Sequence, residues 1–247
     1  MVMSVIEGSH VEAKYPELAG ARVLITGLES GHGVDIARAF AEQGCRLVVQ
    51  TPVLDTLLEV LLETLVREAG AVHVTEGMIS DEATALKCAQ SAVGVYGGID
   101  AVINLARLDE QGIADDATER EIEDRLAATL RGPLLITRVI ANRMQLTWRE
   151  GLILNVVSQR GVETSAGQQL GRIANTALAA LTRREAAHWA DKAVRVNAIV
   201  PAVRESCAPG EIEPGLHSEP EIAALALRLA SRHGRTLSGL VFDADLA

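Results

Sequence analysis

The chain has 247 residues, 48% of them hydrophobic, and a formal net charge of −10 at pH 7. That length holds one large domain with a substantial core, and the acidic balance argues against nucleic acid or an anionic membrane surface as partner. No apolar run reaches a membrane span and no basic region leads into an apolar stretch at the start, so the expected compartment is the cytoplasm. The three cysteines, Cys45, Cys88 and Cys207, are too scattered for a disulfide frame or a metal site.

Residues 1–20 read as a lead-in and 21–247 as the domain. Arg22-Val-Leu-Ile is an apolar run that predicts a first strand. It enters Thr26-Gly27-Leu28-Glu29-Ser30-Gly31-His32-Gly33, and the residues from Val34 onward carry apolar side chains at helical spacing. Three glycines between a strand and a helix let the backbone turn sharply and approach a ligand closely. The N–H groups of residues 29–33, at the helix start, then face an anion such as a pyrophosphate.

Gly44 to Gln50 reads as a second buried strand, after which Pro52 opens a helix with leucines on one face. Ala71 to Thr75 is a third strand, and Asp81 caps a helix running to about Val93. Ile99 to Asn104 is a fourth strand. A long helix from Glu119 to Met144 leads to the strand Leu152 to Val157, and a helix from Leu170 to Ala190 leads to Val194–Val200. A last helix, Glu219 to Ser231, precedes a seventh strand at Gly239 to Asp243. Strands alternating with helices through short joints imply a parallel sheet with right-handed crossovers.

The spacing T-G-x-x-x-G-x-G resembles the nucleotide loop of the short-chain dehydrogenase/reductase family, and the likeness extends along nearly the whole chain. Asn104-Leu-Ala-Arg sits where that family has N-N-A-G, and Ile153-Leu-Asn-Val-Val-Ser158 is similar to the strand that ends at its catalytic serine. Arg195-Val-Asn-Ala-Ile-Val-Pro201-Ala resembles its R-V-N-x-x-x-P-G. The resemblance implies an α/β fold: a single-domain Rossmann-type doubly wound parallel sheet of seven strands, order 3-2-1-4-5-6-7. It also implies a dinucleotide, NAD or NADP, held by Gly27, Glu29, Ser30, Gly31, His32, Gly33, Thr51, Asn104, Ala106 and Pro201.

The catalytic positions depart from the family. Its reaction moves a hydride between a nicotinamide and a carbonyl or alcohol carbon. A tyrosine handles the hydroxyl proton, and a lysine tunes that tyrosine and holds the ribose. Counting the family's spacing from Ser158 reaches Gly171 for the tyrosine and Asn175 for the lysine. Asn175-Thr-Ala-Leu-Ala-Ala-Leu-Thr fixes this register against the family's K-A-A-L-x-x-L-T. Thr129 replaces the asparagine of the long helix, so only Ser158 remains of the four. Losing a positioned acid/base costs on the order of 10²–10⁴ in rate.

The cofactor contacts are thinned as well. Gln50 and Thr51 end the second strand where NAD-preferring members carry an acid, and Met78 stands where an acid contacts adenine. Glu29 repels a 2′-phosphate by roughly 3 kcal/mol at about 5 Å, which favours NAD over NADP. The substrate-covering segment between Ala202 and Glu221 is only about eighteen residues long.

The expected protein is thus a dinucleotide-binding relative impaired as an oxidoreductase, with weak cofactor affinity, serving as scaffold, sensor or partner subunit. The alternative is a divergent oxidoreductase that uses Ser158, Arg160, Gln168 or Arg172. The resemblance places the family's dimer interface on the long helix from Glu119 and the helix through Asn175. A homo-oligomer, dimer or tetramer, or pairing with an active relative is therefore expected.

Overall fold

A computed structural model describes residues 15–109, 113–146, 150–160, 164–201 and 219–243. Seven parallel strands form one sheet: β1 (Arg22–Thr26), β2 (Arg46–Thr51), β3 (Ala71–Glu76), β4 (Ala101–Asp109), β5 (Gly151–Arg160), β6 (Val194–Val200) and β7 (Val241–Asp243). Their order is β3-β2-β1-β4-β5-β6-β7, as the family resemblance implies.

Among the described residues six helices cover the sheet: α1 (Val34–Glu42), α2 (Thr56–Glu68), α3 (Glu82–Tyr96), α4 (Glu119–Leu146), α5 (Ser165–Trp189) and α6 (Glu219–Ala230). The strand pleat decides which face each residue joins. On β1, Val23 and Ile25 pack with Phe40 of α1, Leu58 of α2 and Leu227 of α6, whereas Leu24 packs with Ala89 of α3, Ile140 of α4 and Trp189 of α5. Helices therefore lie on both sides of a sheet whose strands are apolar on both faces. Among the described residues no helix is long and apolar enough to cross a membrane.

Several boundaries differ from the sequence reading. Pro52 does not open α2; the helix starts at Thr56, because the Asp55 carboxylate accepts the Leu58 N–H at 2.7 Å and so takes the N-cap. Asp81 caps α3 as expected, with Thr84 closing a capping box, but the helix runs on to Tyr96 before Gly97 turns it at φ 73°. Strands β4 and β5 extend to Asp109 and Arg160, past Asn104 and Val157 where the sequence reading ends them. The end of the lead-in belongs to the core, since Tyr15 and Leu18 are buried with the α1 cluster.

Strands β1 and β4 are neighbours, yet the chain leaves β1 toward β2 and leaves β4 toward β5. The carboxyl ends of these two strands thus form the switch point of the sheet, where α/β folds bind ligands. The glycine turn lies there.

Candidate functional site

The turn owes its shape to two glycines. Gly27 (φ 73°) and Gly33 (φ 82°) adopt left-handed backbone, and a Cβ on either would fall on Leu105, on its carbonyl oxygen or its side chain respectively. Gly31 differs, because a Cβ there would meet nothing within 4 Å. Two glycines therefore serve close packing of the turn on β4, and the third faces open space.

Side chains hold the turn in place. The Gln50 carbonyl oxygen accepts the Gly27 N–H at 2.8 Å while its amide donates to the Gly77 carbonyl at 2.6 Å. Ser30 donates its hydroxyl to Asp55 at 3.1 Å, tying the turn to the cap of α2. Glu29 pairs with Arg107 of β4 at 2.7 Å. Beneath the turn, Asn104 is fully buried and joins three elements: it accepts from the Thr26 hydroxyl at 2.9 Å, donates to Asn155 at 2.9 Å, and faces the Pro133 carbonyl of α4 at 3.4 Å.

The backbone donors are disposed differently from the expectation. Glu29 and His32 exchange both of their N–H···O=C bonds, at 3.2 and 3.0 Å, and the Gly33 N–H is donated to the carboxylate of Glu219 at 3.3 Å. Of residues 29–33, only Ser30 and Gly31 keep N–H groups without a partner among the described residues.

His32 points inward, 8% exposed, with both ring nitrogens 3.4 Å from the Ser158 hydroxyl and Nδ1 3.9 Å from Glu219. Burial lowers its pKa to about 4, the Arg107 charge adds to this, and the Ala106 backbone beside the ring opposes it without prevailing. The imidazole is neutral at pH 7. Here the turn, β4 and β5 meet, so Glu29, His32, Ala106, Arg107 and Ser158 form one cluster.

The other expected site residues lie outside that cluster or turn away from it. Thr51 is fully buried and donates its hydroxyl to the Val53 carbonyl at 2.7 Å. Pro201 is buried at the end of β6. Thr129 donates to the Arg125 carbonyl of its own helix at 3.0 Å. Gly171 is buried and Asn175 half-buried on α5, whereas Gln168 and Arg172 are exposed on it. The Arg160 side chain and the segment 202–218, with Cys207 and the expected short cover over the substrate, lie outside the described residues. Cys45 and Cys88 are buried, which pushes their thiols up to about 12 and about 11, so neither is poised as a nucleophile.

Sequence reasoning missed Glu219 and Arg107 as site residues and gave Gln50 no structural role. Glu219 enters from α6, far along the chain, and no local pattern marks it.

In shape the turn suits a dinucleotide, with open space before Gly31 and two N–H groups to meet a phosphate. In charge the fit is poorer, because a carboxylate already holds Gly33.

A doubly wound sheet with a glycine turn at its switch point and a serine near the end of β5 defines a nucleotide-binding α/β oxidoreductase scaffold. The family model described as short chain dehydrogenase matches residues 21–214, and the chain belongs to that family. It is 30% identical to a galactitol 2-dehydrogenase (L-tagatose-forming) of Cereibacter sphaeroides, over 92% of this chain and 94% of the relative. It is 28% identical to a D-threitol dehydrogenase of Mycolicibacterium smegmatis, over 92% of each. A short chain dehydrogenase from Mycobacterium smegmatis, known as a crystal structure, superposes with a TM-score of 0.77 at 25% identity, over 92% of each chain.

Proposed function

We propose that this family member binds a dinucleotide at its glycine turn, has lost the family's carbonyl chemistry, and acts through association. It serves as a scaffold or partner subunit, with the bound nucleotide as its signal. NAD(H) is preferred over NADP(H), and both bind weakly.

The neighbourhood of Ser158 carries this reading. Reduction of a carbonyl leaves an alkoxide that needs a proton at once. The group beside Ser158 is His32, and with a pKa of about 4 only about one ring in a thousand is protonated at pH 7. The positions that the resemblance assigns to tyrosine and lysine are Gly171, which carries no side chain, and Asn175, which carries no charge. The reading is further supported by Thr129, whose hydroxyl is engaged within α4.

One observation favours a second reading. The 3.4 Å approach of His32 to Ser158 offers a proton route in a divergent oxidoreductase. Such an enzyme would speed up as the pH falls toward 4, whereas an inactive chain stays flat.

Calorimetric titration with NADH and NADPH, followed by turnover with a panel of carbonyl compounds from pH 5 to 8, tests the proposal. The expected result is weak binding that favours NADH, with no turnover above background at any pH. Submicromolar NADPH binding, or turnover that climbs with acidity, would count against it.

A further inference from the structure

The N-terminus of α1 is the one place on the glycine turn where a helix end could meet an anion, and a carboxylate of the chain already stands there. Glu219 Oε1 accepts the Gly33 N–H at 3.3 Å and lies 3.9 Å from His32 Nδ1. A neutral imidazole offers this carboxylate no compensating charge. The nearest arginine of the cluster, Arg107, is committed to Glu29.

The placement of Glu219 follows from packing. Helix α6 docks on α1 through Ile222, Ala223, Ala226 and Leu227 against Ile36, Ala37, Phe40 and Ala41, all in one buried cluster. Glu219 is the first residue of α6, so the docking delivers its carboxylate to the start of α1 and keeps it at the start of α6 as well. Negative charge is favoured at both helix ends. The contact is therefore built into the helix pair.

Two anions cannot share one N–H donor at that spacing without repulsion. We infer that Glu219 is a built-in competitor for the phosphate groups of the dinucleotide, displaced from Gly33 when the nucleotide binds, and that it sets the weak affinity of this site. The inference rests on the dinucleotide reading of the turn and names what regulates it.

The full chain, with Glu219→Gln and Glu219→Ala, gives the test. Inorganic pyrophosphate and NADH are each titrated while the Gly33 amide is followed by NMR, with thermal melts to confirm that all three forms are folded. The Gly33 amide resonance is expected to move in both variants relative to the unchanged chain before any ligand is added, because each variant loses the carboxylate that accepts this N–H. Both variants are expected to bind pyrophosphate and NADH at least tenfold more tightly than the unchanged chain. Pyrophosphate affinities equal within twofold across the three forms would overturn the inference, whatever NADH does. Pyrophosphate binding that favours the variants, with NADH bound by none, would uphold the competition and overturn the dinucleotide reading alone.

Discussion

The Ser158 hydroxyl lies 3.4 Å from both ring nitrogens of His32, so the end of β5 and the glycine turn are in direct contact. Being equidistant, the hydroxyl has no single in-line partner on the ring. The imidazole fills the space between the glycine turn and β5.

His32 makes stability depend on pH. The unfolded chain protonates this ring as the pH falls through its ordinary value near 6.5, and the folded chain does so only near 4. The folded state therefore loses stability across that window, by about 2 kcal/mol between pH 7.5 and pH 5. Urea unfolding of the native chain and of His32→Leu at both pH values isolates the effect, because the other titrating groups are common to both. The native chain should lose about 2 kcal/mol more than the variant, and equal losses would show that the ring is solvated.

The three glycines separate into two roles. Gly27→Ala forces a Cβ onto the Leu105 carbonyl at a left-handed φ, and unfolding should become easier by about 2–4 kcal/mol. Gly31→Ala meets open space and should leave the melting temperature nearly unchanged while weakening NADH binding. Thermal melts paired with calorimetry distinguish the two, and a stable Gly27→Ala would contradict the packing role.

Asn104 bridges β1, β5 and α4 from a fully buried position. Asn104→Ala leaves the Asn155 acceptor and the Thr26 donor without their partner, at a cost of about 2–4 kcal/mol. Denaturant unfolding reads this directly, and a loss below about 0.5 kcal/mol would mean that the network is dispensable.

Much of this was legible in the sequence, and the reason is local. Apolar strands, the Asp81 cap and the glycine turn are each written in a few consecutive residues; the alternation of strands and helices implies a parallel sheet, and the strand order comes from the family resemblance. The start of α2 was misplaced because Pro52 and Asp55 both signal a helix start, and the cap hydrogen bond decides between them. Side-chain commitments were not legible. Nothing near Thr51 in sequence announces that its hydroxyl turns onto Val53, and Glu219 reaches Gly33 only through the docking of α6 on α1.

The proposed association would use the outer face of α5. Ile173 is 46% exposed and Ala180 is exposed on α5, whereas Ala174 is buried in the chain's own core. Light scattering at micromolar concentration should show a dimer or larger assembly, and Ile173→Glu should shift it toward monomer. A stable native monomer would contradict the association reading.

On the proposed function this chain keeps the nucleotide scaffold of its family without the family's proton chemistry. The most direct measurement is NADH oxidation with a common carbonyl panel by the native chain and by Gly171→Tyr/Asn175→Lys. No measurable turnover is expected from the native chain, and a rate raised by a factor of about 10² or more is expected when the phenol and ammonium are restored. Native turnover at about 1 s⁻¹ or faster, in the ordinary enzyme range, would contradict the proposed function.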